Sequence, residues 1–401
     1  MATNAHRTFL ENAAVPRKTL AQFLDPNFPT WAKHDPELGY RLSNVIVRDG
    51  VDNSRSIYTY EPNGARRMVH YRERPCRINT YGDSFTQCHQ VSDGETWQEV
   101  LAAHFGEPIR NFGVGGNGVY QAYRRMKRVE STPDGAPCVI LNIYDDDHRR
   151  NLMACRWVHT SRYYPITGNE VMFHNMPWVH VRLDLVSGKW IELDHPFKTG
   201  ESLYKLCDPA FLYETYRNDP LVKIEMLRDG LQADDLREVH ELADHFRVKL
   251  DLSTPESRKR TGWALFIEYG LRSTMFVLER VRELVTARGK KLMILLSYGS
   301  GNVLAALRSE KRFDQSLVDH LKKENFLVVD ALSKHVEDYK WFRVGPEEYL
   351  KRYYIGHYNP TGNHFFAFAI KNEVRDWLDP KPLTYSSGEV SVIELSARLV
   401  R

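Results

Sequence analysis

The chain has 401 residues, 42% hydrophobic and 27% charged, with 55 Lys and Arg against 52 Asp and Glu for a net charge of +3. That mix fits a globular protein of one large α/β domain with insertions, or two ordinary domains. The near-balanced charge predicts neither a nucleic-acid partner nor an anionic membrane surface, and no apolar run approaches the roughly 20 residues of a membrane span. Five scattered cysteines without a C-x-x-C pair argue against a disulfide scaffold and a thiolate zinc site, and fit a reducing compartment. The opening M-A-T-N-A-H-R-T-F-L-E-N has no apolar core of a secretory signal, so the expected location is the cytoplasm.

In chain order, residues 1–75 read as an irregular, partly β region with turn signals at Asp35-Pro36 and Asn63-Gly64. From residue 76, strands and helices alternate. A short strand over Arg77 to Tyr81 is followed by a capping-box pattern, Ser92-Asp93-Gly94-Glu95, ahead of a helix with Trp97, Val100, Leu101 and Phe105 on one face. A second strand, Ile109 to Phe112, runs into a glycine cluster and a helix with Val119, Tyr120, Tyr123 and Met126 inward. A third strand, Cys138 to Tyr144, is almost continuously apolar, as a strand covered on both faces requires.

The alternation stops over 156–260, an insertion with a hairpin (Trp178 to Leu183, a turn at Ser187-Gly188, Lys189 to Leu193) and polar helical pieces. Trp178 and Trp190 in that hairpin line a lid or anchor the insertion to the body. A long helix over 261–288 then packs on the core, with Leu265, Tyr269, Phe276 and Val281 inward. Strand Lys291 to Tyr298, a helix near 313–324, strand Phe326 to Asp330, a helix from Thr361 to Leu378 and a tail over 381–401 complete the chain. Five strands joined by helices predict a parallel, doubly wound sheet, with its core in 76–155 and 289–380 and the insertion over the carboxyl ends of the strands.

In such a sheet, ligands sit at the carboxyl ends of the strands, where this sequence places its marked stretches. Gly82-Asp83-Ser84 follows strand one, Asn111-Phe112-Gly113-Val114-Gly115-Gly116 strand two, and Tyr144-Asp145-Asp146-Asp147-His148 strand three. His357-Tyr358-Asn359-Pro360-Thr361-Gly362 precedes the last helix. A serine hydroxyl becomes a nucleophile when a base takes its proton, and imidazole titrates in the right range. A glycine-rich turn lets backbone N–H groups approach an oxyanion. The glycine cluster lacks the lysine and hydroxyl of a phosphate loop, and the serine is not in G-x-S-x-G. The triple aspartate reads as a solvated loop or helix cap rather than a metal site.

With these blocks the core resembles the GDSL/SGNH hydrolases. The resemblance implies a flavodoxin-like three-layer α/β/α sandwich around a five-stranded parallel sheet, and a serine hydrolase needing no cofactor or metal. On it, Ser84 matches the nucleophile, His357 the base, and Gly116 the glycine whose N–H faces the oxyanion, while Asn111 and Gly113 open the glycine block. Asp146 stands where the family has asparagine; it serves there only if protonated or bridged by a cation, unless Asn142 or another donor fills the place. The family's aspartate, two or three residues before the histidine, is replaced here by Ile355 and Tyr354. A backbone carbonyl or a distant carboxylate then orients His357, or the site is a bare Ser-His pair. His148 and His364 are rival bases. Arg149 and Arg150, just after strand three, are solvated charge or bind an acidic substrate group; with Asn111 and Gly113 they form the expected substrate-facing set. The implied activity is hydrolysis of an O-acyl ester, with a short acyl group on a polar or carbohydrate-like alcohol. The alternatives are a binding protein that keeps the fold, and an O-acyltransferase using the same pair.

Overall fold

The five strands of the main sheet are β1 (Ile78–Tyr81), β2 (Ile109–Asn111), β3 (Cys138–Tyr144), β4 (Lys291–Ser297) and β5 (Val328–Asp330). They belong to a computed structural model that describes residues 5–163 and 170–386; residues 387–401 of the expected tail lie outside the described residues. Contacts divide the chain into two units. One holds Asn44–Asn117, Ala122–Asp147 and Glu279–Arg401; the other holds Met1–Ser43, Gly118–Gln121 and His148–Leu278.

The sheet lies in the first of these units. All its pairings are parallel, in the spatial order β5-β4-β3-β1-β2. Ile78 of β1 stands opposite Ile109 of β2 and Cys138 of β3, and Cys138–Tyr144 runs in register with Lys291–Ser297. Val139, Ile140, Leu141, Met293, Ile294 and Leu295 are completely buried, because helices cover both faces of a parallel sheet and leave no side for polar residues. The chain reverses direction across the sheet between β1 and β3, so the crevice at their carboxyl ends is the topological switch point of a flavodoxin-like sheet.

Helix starts follow local chemistry. Ser92 and Glu95 do form a capping box, but it closes the 3₁₀ turn Asp93–Glu95. The helix proper is Trp97–Phe105, capped by the Thr96 hydroxyl, which accepts the Glu99 N–H. It packs on the last helix, Pro360–Trp377, through the edge-on Trp97–Phe366 pair at 5.4 Å. Helices Ser300–Leu307, Ala331–Tyr339 and Pro346–Tyr353 add to the sequence expectation. Ahead of β1, the antiparallel ribbon Val45–Arg48 and Arg55–Tyr58 leads to Arg66, whose N–H donates to the Asn111 carbonyl at the outer edge of β2.

In the other unit, the hairpin is His180–Asp184 with Lys189–Leu193. Trp178 is fully buried and donates its indole N–H to the Met153 carbonyl at 2.6 Å, and Trp190 stacks on Tyr269 and Phe276. Both tryptophans anchor the hairpin within its own unit. The long helix is Pro255–Ala287, with proline in its first turn and the Thr254 hydroxyl accepting the Ser257 N–H, so it begins earlier than its apolar periodicity suggests. Among the described residues, no helix is long and apolar enough to cross a membrane.

Candidate active site

Ser84 owes its position to the two residues before it. Gly82 has φ +151°, and a methyl group there would collide with the Thr86 hydroxyl and the Asn142 carbonyl of β3, so only glycine lets the chain leave β1 this close to its neighbour. The Asp83 carboxylate then accepts the Phe85 N–H at 2.8 Å and caps the single helical turn Ser84–Gln87. Ser84 is the first residue of that turn, where an N–H has no intrahelical acceptor. Its Oγ lies 3.0 Å from Asp83 Oδ2.

The histidine block is equally local in origin. Asn359 caps Pro360–Trp377 by accepting the Gly362 N–H at 2.8 Å, while its Nδ2 donates to the Arg352 carbonyl at 2.9 Å. The isolated bridge between Tyr354 and Tyr358 folds the intervening residues into a tight turn with His357 on it. From that turn His357 Nε2 reaches to 2.8 Å of Ser84 Oγ. Its Nδ1 faces Gln90 Oε1 at 3.2 Å, and its backbone N–H donates to the same oxygen at 2.8 Å. Phe85 lies beside the imidazole at 5.1 Å between ring centres and stacks on Tyr144 at 4.2 Å. The group facing the base nitrogen's far side is thus a side-chain amide, which the sequence reading did not include among its candidates.

The turn is held from behind by a buried polar core. His335 Nε2 lies 2.8 Å from the Tyr358 hydroxyl and Nδ1 lies 3.0 Å from the Tyr349 hydroxyl, which donates to Asp338. Burial pushes the His335 imidazole down from 6.5 to about 3. It is therefore neutral, with Nδ1–H donating to Tyr349 and Nε2 accepting from Tyr358.

The glycine block is laced to the serine turn. Asn111 Oδ1 accepts the Gly113 N–H at 2.9 Å and its Nδ2 faces the Gln87 carbonyl at 3.4 Å; the Val114 N–H donates to the Gly82 carbonyl at 3.0 Å. Gln87, fully buried, accepts the Gly115 N–H at 2.9 Å and donates to the Tyr60 hydroxyl at 2.7 Å. Asn111 and Gly113 are both buried, and these bonds shape the loop itself. Gly116 has φ +87°, and its N–H has no hydrogen-bond partner among the described residues.

After β3 the three aspartates have separate surroundings. Asp145 accepts the Gly299 N–H at 2.8 Å and the Asn302 amide at 2.6 Å, tying the end of β3 to the start of the helix Ser300–Leu307 that follows β4. Asp147 accepts the Tyr144 N–H at 3.0 Å. Asp146 is half-buried in the turn between them. The Asn142 amide is buried within β3 and has no hydrogen-bond partner among the described residues. No cluster of metal-ligating side chains occurs among the described residues.

Three other residues from the sequence reading belong to the other unit. Arg149 places its guanidinium 5.4 Å from the Phe266 ring and 5.8 Å from Trp263, and Arg150 is buried. His148 meets the Thr274 hydroxyl through Nδ1 at 3.0 Å. Beside them Asn151, which the sequence reading did not single out, donates its amide to the Ser273 and Thr274 hydroxyls. His364 is exposed on the last helix.

The fold and these distances define an α/β protein of the flavodoxin-like, three-layer kind, with a serine and a histidine side chain in hydrogen-bond contact at the sheet's switch point. No family model and no curated protein matches the chain. Among solved structures it is similar to the crystal structure of a member of the lipolytic protein G-D-S-L family from Veillonella parvula DSM 2008, at 12% identity and a TM-score of 0.35, over 76% of this chain and 100% of that one.

Proposed function

We propose that this chain is a serine esterase of the SGNH type, hydrolysing an O-acyl ester with a short acyl group on a polar or carbohydrate-like alcohol. The observation that carries the reading is the 2.8 Å approach of His357 Nε2 to Ser84 Oγ, within the reach a general base needs. Ser84 Oγ attacks the acyl carbonyl while its proton passes to Nε2. The oxyanion is met by the N–H groups of Ser84 and Gly116. Collapse breaks the bond to the alcohol oxygen, which takes the proton from Nε2 and leaves. Water then gives a proton to Nε2, attacks the acyl carbon, and releases the acid with Ser84 restored. No step calls on a cofactor.

Labelling with a fluorophosphonate tests the nucleophile directly. The wild-type chain is expected to label at Ser84, and Ser84→Ala and His357→Ala each to lose aryl-acetate hydrolysis by about 10³-fold or more. Unchanged hydrolysis in Ser84→Ala refutes the mechanism. Product analysis with competing alcohols separates hydrolysis from transfer.

A further inference from the structure

We infer that Gln90 is the positioning residue of His357, its side-chain carbonyl taking the place at Nδ1 that a carboxylate holds in a Ser-His-acid triad. The inference rests on the Ser84–His357 reading above and adds the group that makes His357 a base at the correct nitrogen.

The two ends of the Gln90 amide are told apart by their backbone partners. The backbone N–H of His357 can only donate, so the atom 2.8 Å from it is the amide oxygen. The carbonyl of Asp49 can only accept, so the atom 3.0 Å from it is the amide nitrogen. Backbone groups at both ends fix the amide, and it cannot flip without losing both bonds. The oxygen has a second lone pair, and Nδ1 of His357 lies 3.2 Å away. An acceptor facing Nδ1 requires a proton on Nδ1. In the neutral ring, Nε2 then carries the lone pair, and it faces Ser84 Oγ. Since the Ser84 hydroxyl has one proton and two acceptors in range, Nε2 at 2.8 Å and Asp83 Oδ2 at 3.0 Å, this lock makes Nε2 an acceptor for it.

Gln90 is itself held in a demanding conformation. Its φ is +74°, a left-handed geometry a long side chain adopts only under constraint. Its N–H donates to the Tyr58 hydroxyl at 2.7 Å, and that hydroxyl donates to Asp49 Oδ2 at 2.8 Å. Asp49 Oδ2 also lies 3.0 Å from His89 Nε2, and the His89 ring lies beside that of His357 at 4.9 Å. The ribbon Val45–Arg48 and Arg55–Tyr58 therefore delivers both the carbonyl and the hydroxyl that aim Gln90. On the other side, Gly356 has φ +118°, and a methyl group there would come within 2.9 Å of Gln90 Oε1. Glycine keeps the path to that oxygen open.

An amide orients the ring without adding a negative charge, which separates it experimentally from a carboxylate. Wild type, Gln90→Ala, Gln90→Asn and Gln90→Glu are compared as full-length chains, with Ser84→Ala as control. Asparagine tolerates positive φ but is one methylene too short to reach. Long-range ¹⁵N NMR of labelled histidine reads the tautomer of His357 without substrate. The expected wild-type form is Nδ1–H, with the Nε2–H form becoming populated in Gln90→Ala and Gln90→Asn. Fluorophosphonate labelling of Ser84 is expected to slow by about 10²-fold in those two variants. In Gln90→Glu the acid limb of the labelling profile is expected to move up by about 1–3 pH units, as a carboxylate beside an imidazolium dictates. The other titratable groups around the ring, His89 with Asp49 behind it and Asp83 behind Ser84, are unchanged among these proteins, so the shift reports residue 90. An Nε2–H wild type, or a tautomer and labelling rate unchanged in Gln90→Ala, overturns the inference. A wild type with the Gln90-dependent tautomer that does not label leaves the positioning role standing and removes the esterase reading instead.

Discussion

Arg66 is completely buried, and replacing it with methionine is the most severe single test of how the serine turn is supported. Its Nε meets Asp93 Oδ1 at 2.9 Å, Nη1 donates to the carbonyls of Gln87 at 2.6 Å and Cys88 at 2.8 Å, and Nη2 to that of Val91 at 2.6 Å. The guanidinium also lies 4.8 Å from the Tyr58 ring centre. Methionine keeps the apolar stem and removes every donor. Breaking a buried ion pair by removing one partner costs about 3–5 kcal/mol, and each buried carbonyl left without a donor costs about 1–3 kcal/mol. These terms overlap, because one backbone adjustment or one entering water relieves several acceptors. The expected loss is therefore about 5 kcal/mol, a large part of the roughly 5–15 kcal/mol that holds a domain together. Native-state hydrogen exchange of the β1 and β3 amides reads the unfolding free energy of this unit alone. Arg66→Lys, with the charge but not the planar fork, should lose about half as much. A loss below about 1.5 kcal/mol in Arg66→Met would show that the carbonyls of residues 87–91 find other donors, and would refute the reasoning.

His335 gives a pH test with a definite sign. Its pKa falls from 6.5 to about 3 on folding because it is buried, so below 6.5 the unfolded chain takes up the proton first. Its contribution is full above pH 6.5 and is lost as pH falls towards 3, at about 1.4 kcal/mol per pH unit. His335→Gln should flatten the acid side of the stability profile measured by urea unfolding, and an unchanged slope would contradict the assignment of a neutral ring. Asp83→Asn keeps an acceptor for the Phe85 N–H but removes the carboxylate that competes for the Ser84 proton. Ser84 labelling in mildly acidic buffer should rise relative to wild type, and an identical pH profile would show that Asp83 acts only as a cap.

What was legible in the sequence was short-range. Ser84 announces itself because Gly82 and Asp83 are needed within two residues of it, for a backbone crossing and for a cap. His357 does so because Asn359 and Gly362 start the next helix. The strands Cys138–Tyr144 and Lys291–Ser297 were legible because burial on both faces leaves a nearly continuous apolar run. Helices Ser300–Leu307, Ala331–Tyr339 and Pro346–Tyr353 were not, since two turns are too few to establish a period over the window in which periodicity is read. Gln90 was hidden for another reason. Its role comes from left-handed turns at Cys88 and Gln90, from Arg66 and the ribbon upstream, and from a histidine 267 positions away. Nothing in Gln90's own neighbourhood marks it.

That distribution of supports bears on how such a site works. A carboxylate behind the imidazole does two jobs at once: it selects the tautomer and it stabilises the imidazolium. Under the reading proposed above, Gln90 does only the first. Negative charge lies on the other side of the pair, at Asp83 Oδ2, 3.0 Å from Ser84 Oγ. When His357 is protonated at rest, Nε2–H donates to Ser84 Oγ and the serine hydroxyl turns to Asp83, a chain of satisfied hydrogen bonds. Once Oγ has bonded to the acyl carbon that hydroxyl no longer exists, and Asp83 loses its hydrogen bond to the pair and keeps only the attraction of its charge. Asp83 thus favours the resting imidazolium over the transition state, and interactions of that kind slow the chemical step. Orientation without charge at residue 90 keeps the base available to lower pH than a carboxylate behind the ring would, and the charge at residue 83 accounts for the sensitivity to acid that remains.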